Sequence, residues 1–176
     1  NQYSGKKIAI DISILLYQVV ISVRNSGADL VNKKGKITSH ILGLFNKTTK
    51  LLIKGIIPVY VFDGKPPEIK RRILDMRKNV RKKAEEKMAN AVSKEEKIKY
   101  FKRSVVITRE QLDDCRSLLD CMGVPFIDAP EEADSQCAWL AKTGLVDAVL
   151  TEDMDILTFG SPLVIRNLTS FRKKPI

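Results

Sequence analysis

The sequence predicts an α/β fold in which helices flank a largely parallel central sheet. Short apolar runs typical of buried strands alternate with segments whose apolar residues recur at helical spacing. The chain has 176 residues, of which 44% are hydrophobic, so it can bury a sizeable core. A strongly basic stretch over residues 68–103 has little apolar content, and we expect it to project from that core as helices.

Two strands and two helices are predicted before the basic stretch. Short apolar runs at residues 7–10 and 56–62 predict buried strands. Helical spacing of apolar residues predicts helices over 12–23 and 39–54, separated by a polar loop at 25–36. The second helix is expected to turn one stripe toward the core, formed by Ile41, Leu44, Phe45, Leu51 and Leu52.

The basic stretch is predicted to be helical over residues 68–91 and again over 94–103. Lys-Pro-Pro at 65–67 excludes a helix there and favours an extended exit from the second strand. From residue 65 to 103 there are 15 Lys or Arg and 6 Asp or Glu, which accounts for nearly all of the net charge of +10. Such a concentration indicates a polyanionic partner more than a solvated helix face. A membrane surface is the weaker alternative, because the apolar stripe is not sustained.

Three strands and two helices are predicted after the basic stretch. The strands cover residues 124–127, 148–151 and 163–165. One helix is predicted over residues 109–122, and a second is expected to open at 128–130 with Asp128 as its cap. Tyr17 and Trp139 lie on helical stripes, so core packing is the first expectation for both.

Several kinds of site are poorly supported by composition. The three cysteines show no C-x-x-C spacing and His40 is the one histidine, which disfavours a zinc site, a Ser-His-Asp triad and a Cys-His pair. Reduced thiols in an intracellular protein fit this count best. No apolar run of about 18 residues occurs, so we expect no membrane partner. The chain begins at Asn1 rather than Met, and we expect a fragment cut at both ends.

Carboxylates follow four of the five predicted strands at the point where each strand ends. They are Asp11, Asp63, Glu131, Glu132, Asp134, Asp153 and Asp155. If the strands are parallel, these side chains meet at the edge where open α/β sheets bind ligands. Clustered carboxylates repel one another and call for cations, and all-oxygen ligands favour Mg²⁺ or Mn²⁺. Two such ions about 4 Å apart can activate water and stabilise the leaving oxygen in phosphodiester hydrolysis.

Two other classes of function stay open on these residues. A DNA-binding module that has lost catalysis would keep the basic stretch, although every strand-end carboxylate is present. A phosphotransfer enzyme or phosphate-accepting receiver domain also uses strand-end aspartates. The haloacid dehalogenase type needs Asp-x-Asp after its first strand, whereas Ser13 stands at the second position here. Neither phosphotransfer class explains the basic stretch.

Four sequence blocks resemble motifs of the flap endonucleases in the structure-specific 5′ nuclease superfamily, with its XPG-type N and I regions. The blocks are residues 9–13, 59–67, 128–134 and 151–162, in family order and at family-like spacing. The resemblance implies a PIN-like nuclease fold with an N-region at about 1–83, a helical arch at about 68–103 and an I-region at about 109–176. Lys-Pro-Pro after Asp63 favours the flap endonuclease branch, with the 5′–3′ exonuclease branch as the alternative.

The resemblance implies a nuclease that cuts branched or flapped DNA near single-strand/double-strand junctions in replication and repair, inside the cell and in the nucleus of a eukaryote. It implies two Mg²⁺ ions, replaceable by Mn²⁺, at a site formed by Asp11, Asp63, Glu132, Asp134, Asp153 and Asp155. Lys70 and Arg77 would act catalytically on the scissile phosphate at the base of the arch. The further DNA contacts would be Tyr17, which stacks on a base, with Arg24, Lys47 and Arg103.

The family pattern also extends beyond this sequence. Its Met-Gly-Ile-like start lies outside the sequence, as does a second half with a further metal-ligand Asp and a helix-two-turn-helix motif that binds duplex DNA. A sliding clamp would bind through a C-terminal segment that is likewise outside it. We therefore expect a monomeric, partial nuclease domain that binds DNA weakly and cuts poorly by itself.

Overall fold

The computed structural model describes residues 2–25, 30–33, 35–166 and 168, and for residues 23–25 and 94 it describes the backbone alone. Five strands form one sheet in the order β3-β2-β1-β4-β5. The strands are β1 (Lys7–Asp11), β2 (Ile57–Phe62), β3 (Phe126–Asp128), β4 (Ala148–Leu150) and β5 (Val164–Ile165). Every neighbouring pair is parallel, which confirms the predicted parallel sheet. All carboxyl ends of the strands therefore lie along one edge.

The described residues form six α-helices. They are α1 (Ile12–Asn25), α2 (Ser39–Ile53), α3 (Arg71–Ala89), α4 (Lys94–Ser104), α5 (Arg109–Cys121) and α6 (Ala133–Lys142). Alternate residues of β1 face opposite sides, so Ile8 and Ile10 pack in the core under α1, α2 and α5, whereas Ala9 packs under α6. The helices of a flanked parallel sheet thus cover both of its faces, as the alternating sequence pattern predicts.

The buried face of α2 differs from the predicted stripe. Phe45 and Leu52 are 44% and 42% exposed, so their assignment to the core is wrong. The helix instead buries a face that includes Thr48, whose hydroxyl lies 2.8 Å from the phenolic oxygen of Tyr60. Because this partner satisfies the hydroxyl, a polar residue occupies a core position that an apolar pattern cannot indicate.

The basic stretch forms a short 3₁₀ turn at Glu68–Lys70 followed by α3 and α4. These two helices pack against each other, and Ala84 is the buried residue of α3. The pair is called the arch below, defined as residues 68–104. Its thin apolar content leaves most of α3 in solvent, as expected for helices that project from the sheet. Among the described residues, no helix combines the length and apolarity needed to cross a bilayer.

The predictions for the start of α6, for its N-cap and for two aromatic residues need correction. The last helix begins at Ala133 rather than at 128–130, and its N-cap is Glu132, so Asp128 does not cap it. Asp128 ends β3 and accepts hydrogen bonds from the Arg116 guanidinium at 2.6 and 3.2 Å. Trp139 is 52% exposed and Tyr17 is 36% exposed, so neither is a core residue.

Candidate metal centre

Asp11 is the innermost carboxylate of the strand-end edge. It is the last residue of β1 and only 6% exposed. Its Oδ1 accepts hydrogen bonds from the backbone N–H groups of Ser13 at 2.6 Å and Ile14 at 3.3 Å. These donors are unpaired amides in the first turn of α1, so the helix start fixes the direction of the carboxylate. The other oxygen, Oδ2, is the one that remains for a cation.

Asp63 joins three segments of the chain at the end of β2. Its Oδ2 accepts a hydrogen bond of 2.7 Å from the hydroxyl of Ser13, and its Oδ1 accepts one of 3.0 Å from the backbone N–H of Ala133. The backbone N–H of Gly64 also donates to the carbonyl of Glu131 at 2.6 Å. These bonds hold the β1–α1 junction, the end of β2 and the start of α6 together around one carboxylate.

Glu132 and Asp134 flank the start of α6. Glu132 takes the N-cap position, and its Oε1 lies 2.5 Å from the ammonium nitrogen of Lys70. Asp134 stands in the first turn, where its Oδ1 is buried and has no hydrogen-bond partner among the described residues. A buried oxygen without a donor is costly, so Asp134 is suited to binding a cation.

Asp153 and Asp155 follow β4 and differ in burial and in their contacts. Asp153 is partly buried and close enough to raise the pKa of Asp134. Asp155 is exposed at the start of a short 3₁₀ turn, and its backbone N–H donates to Oδ1 of Asp153 at 3.0 Å. Within the described residues, no interaction joins the Asp155 carboxylate to the other five. Its role as a metal ligand stays a prediction.

The pKa values show how closely five of these carboxylates lie. Burial, and then the charges of Asp63 and Asp134, raise the pKa of Asp11 to about 7. Burial also raises the pKa of Asp134 to about 6, with further contributions from Asp153, Asp63 and Glu132. Such mutual repulsion arises only between near neighbours, so the predicted convergence of Asp11, Asp63, Glu132, Asp134 and Asp153 is present in the fold.

The donor set suits a hard divalent ion. The convergent groups are all carboxylates, which favour Mg²⁺ or Mn²⁺, and one of their oxygens is buried without a donor. Among the described residues, no group of three or more His, Cys, Asp or Glu side chains is arranged so that it could hold a metal ion. Lys70 engages Glu132, and Ser13 and Ala133 engage Asp63. Ion binding therefore requires side-chain rearrangement at this edge.

The basic and aromatic residues predicted to contact DNA lie at different distances from this edge. Lys70 touches it through Glu132, whereas Arg77 and Arg103 are exposed on α3 and α4 without a described contact to the carboxylates. Lys47 is half-buried and lines a cleft that also contains Asp11. Tyr17 lies on α1. Arg24 is in the last turn of α1, and its side chain lies outside the described part of the chain.

Lys47 is held in a partly desolvated cleft between α1, α2 and the end of β4. Burial lowers its pKa from the usual lysine value, the nearby Lys50 lowers it further, and Glu152 opposes the shift. Gln18, Thr151 and Glu152 line the same cleft. The cleft opens beside Asp11, so a group bound at the carboxylates would lie within reach of Lys47.

Two residues shape the site although the sequence pattern predicts no role for either of them. The hydroxyl of Ser13 binds Asp63, and Gly64 allows the 129–131 segment to approach. A Cβ at Gly64 would lie 2.0 Å from the carbonyl oxygen of Ala129 and 2.7 Å from that of Pro130. The Asp-Gly pair at the end of β2 was the available signal, but only the fold shows which segment needs the space.

Without bound metal, the protein is expected to lose stability as pH rises from about 4 to about 7. The folded-state pKa values of Asp11 and Asp134 are about 7 and about 6, against 3.8 for the unfolded chain. The native state thus binds more protons across this window, and stability is lost as they dissociate. Urea denaturation in EDTA across that range measures the effect. Asp11→Asn should flatten the profile, and a profile that rises with pH in both proteins would contradict the assignment.

The sheet and its edge define a parallel α/β protein with a carboxylate site at the strand ends and a basic helical arch beside it. The family model for the XPG N-terminal domain matches residues 1–84, and the model for the XPG I-region matches residues 123–175. Together these regions cover most of the chain, which belongs to the XPG family.

Relatives with curated names agree with this membership. The chain is 46% identical to human Flap endonuclease 1 over 179 residues, covering 100% of this chain and 47% of that protein. It is 48% identical to Flap endonuclease 1 of Naegleria gruberi over 181 residues, with the same coverage. The chain thus spans about half the length of the curated relatives it matches.

Solved structures show the same fold. Flap endonuclease-1 from Methanococcus jannaschii superposes with a TM-score of 0.72 at 43% identity, covering 99% of this chain and 56% of that one. The catalytic core of Rad2 in complex with a DNA substrate gives a TM-score of 0.68 at 32% identity, covering 98% of this chain and 46% of that one.

Proposed function

We propose that the protein carrying this chain is a metal-dependent, structure-specific 5′ nuclease that hydrolyses DNA phosphodiesters near single-strand/double-strand junctions. The observation that carries the proposal is the meeting of Asp11, Asp63, Glu132, Asp134 and Asp153 at one sheet edge, beside the base of a basic arch. Acidic and basic groups so close together suit a phosphate bridged to the protein through cations. Membership in the XPG family supports the same reading.

We propose that these carboxylates hold two Mg²⁺ ions, for which Mn²⁺ can substitute, once the side chains have rearranged. Asp11, Asp63, Glu132, Asp134 and Asp153 would hold them, with Asp155 as a further ligand. Bound there, the ions would lower the pKa of a water molecule and offset charge on the leaving oxygen. The buried Oδ1 of Asp134, which lacks a donor, is the oxygen that gains most from such an ion.

The chain's own groups would position the DNA. Lys70, whose ammonium contacts Glu132, would bind the phosphate to be cut, together with Arg77 farther along α3. Tyr17 is 36% exposed, so we propose that an unpaired base stacks on its ring. Lys47, Arg24 and Arg103 would contact backbone phosphates farther from the cut.

The proposed setting rests on membership in the XPG family. A nuclease for branched DNA would act inside the cell at sites of replication and repair, in the nucleus of a eukaryote. We propose that it works as a monomer on flapped DNA, and that a sliding clamp recruits it through a segment outside this sequence.

A cleavage assay on a 5′-flap substrate tests the proposed function. The full-length protein should cut near the junction with Mg²⁺ or Mn²⁺ present and should not cut in EDTA. Uncut DNA that is nevertheless bound would favour the binding-module alternative. Cutting that proceeds only from a free 5′ end, one nucleotide at a time, would favour the exonuclease alternative.

Neutralising Lys70 and Arg77 together is expected to slow cleavage more than it weakens binding. In this proposal both charges act on the phosphate under attack, whereas the other basic residues of the arch can still hold the backbone. We expect single-turnover cleavage to fall about tenfold or more, with a smaller change in Kd. Lys78→Gln with Lys82→Gln, two exposed arch positions, provides the charge-matched control. Equal losses in rate and affinity would reduce Lys70 and Arg77 to ordinary phosphate contacts.

A further inference from the structure

Lys70 connects the arch to the carboxylate edge. It is the last residue of the 3₁₀ turn at Glu68–Lys70 and the N-cap of α3, so its backbone lies at the point where the arch begins. Its ammonium nitrogen lies 2.5 Å from Oε1 of Glu132. The Lys70 side chain is 47% exposed and the Glu132 side chain 20%, so the pair lies at the rim of the site.

This ion pair is a distinct link between the arch and the sheet edge. Among the described residues, no other ion pair joins residues 65–104 to the rest of the molecule. The main packing of α3 is against α4 and against the 3₁₀ turn, both of which belong to the arch itself. The charge of Lys70 also reaches Asp134, where it opposes the pKa rise caused by the neighbouring carboxylates.

A divalent ion and the Lys70 ammonium compete for the same carboxylate. Mg²⁺ and Mn²⁺ bind carboxylate oxygens at roughly 2.0 to 2.2 Å and demand a nearly fixed geometry. An ammonium group at hydrogen-bond distance from Oε1 takes up the space and the lone pairs that such an ion needs. Two cations held by one carboxylate would also repel each other strongly. Glu132 therefore cannot retain Lys70 in this position and coordinate an ion through Oε1.

We propose that the Lys70–Glu132 ion pair is a latch that fastens the base of the arch to the carboxylate edge, and that a divalent ion binding at Glu132 opens it. The proposal rests on the proposed function, because it takes Glu132 to be a metal ligand. Opening frees the Lys70 ammonium for a phosphate oxygen at the moment when the site becomes able to bind that phosphate through metal. The same event would loosen the start of α3, which the ion pair otherwise ties to Glu132.

Binding of Mn²⁺ to the full-length protein without DNA tests the latch by calorimetry. Lys70→Gln removes the competing cation and should tighten the Kd for Mn²⁺ about fivefold, the upper range for a partly exposed pair. Lys78→Gln removes an equal charge from an exposed position of α3 and should change the Kd less than about twofold. Lys70→Arg keeps a cation able to pair with Glu132, and its Kd should stay near that of the unsubstituted protein.

Amide hydrogen exchange of residues 65–77 provides a second readout that a purely electrostatic effect would not move. Mn²⁺ should speed exchange there about threefold in the unsubstituted protein, because the arch base is released. In Lys70→Gln, exchange should be fast with or without Mn²⁺. An unchanged Mn²⁺ affinity in Lys70→Gln, or slower exchange on adding Mn²⁺ to the unsubstituted protein, would overturn the latch alone. Failure of the unsubstituted protein to bind Mn²⁺ would overturn the proposed function and the latch together.

Discussion

Replacing Asp134 with Asn is expected to abolish cleavage while making the metal-free protein more stable. The two effects have opposite signs because they share one cause. The Asp134 carboxylate is partly buried beside Asp63, Glu132 and Asp153, which raises its pKa to about 6. Above that pH the native state carries a charge repelled by its neighbours, and the uncharged amide removes the repulsion. The same substitution removes an oxygen anion that a divalent ion would bind.

We expect cleavage by Asp134→Asn to fall about 1000-fold or more, because the metal ions would supply most of the charge stabilisation. Its free energy of unfolding in EDTA near pH 8 should rise by about 1 to 2 kcal/mol, a value reduced for the solvent that reaches this group. Single-turnover cleavage and urea denaturation measure the two effects. Asp120→Asn removes an exposed carboxylate of α5 and should change neither. Normal cleavage by Asp134→Asn would remove this residue from the metal site.

Replacing Gly64 with Ala is expected to damage both the fold and the site. The added Cβ would lie 2.0 Å from the carbonyl oxygen of Ala129 and 2.7 Å from that of Pro130, and both are backbone atoms that cannot turn aside. The 129–131 segment must therefore move away from the end of β2. That movement breaks the hydrogen bond from Gly64 to Glu131 and pulls the start of α6 away from Asp63.

For Gly64→Ala we expect a loss of about 2 to 3 kcal/mol in unfolding free energy and a fall of about 100-fold in cleavage by the protein that remains folded. Gly43→Ala provides a matched control, because its Cβ would lie 1.9 Å from Cγ1 of Val19, in the contact between α1 and α2. The control should lose stability but keep its cleavage rate per folded molecule. Equal rates for both variants would show that the 129–131 segment does not position the site.

The strand ends were the most predictable part of the site. An apolar run followed at once by Asp11 or Asp63 indicates where a strand stops, and parallel strands stop at one edge. Neither conclusion needs the strand order, which one sequence does not contain. The sequence therefore predicts that Asp11, Asp63 and Asp153 share an edge, and the parallel pairing of β1, β2 and β4 brings the ends of these strands together.

The contacts made across long stretches of sequence could not be predicted. Ser13 binds a carboxylate 50 residues away, and the Ala133 amide binds the same carboxylate across 70 residues. The predicted N-cap of α6 was wrong for a related reason. The side chain of Asp128 instead accepts hydrogen bonds from Arg116 of another helix, α5. The burial of Thr48 likewise depends on a partner in β2, which periodicity alone cannot supply.

The convergence of distant segments on Asp63 bears on how the protein is made. A growing polypeptide that has left the ribosome only as far as α5 contains Asp11 and Asp63 but lacks the amide of Ala133 that orients the second of them. The carboxylate of Asp63 then has the hydroxyl of Ser13 as a donor but lacks the second donor that orients it. The carboxylate edge would thus reach its final arrangement only after the residues that begin α6 have emerged.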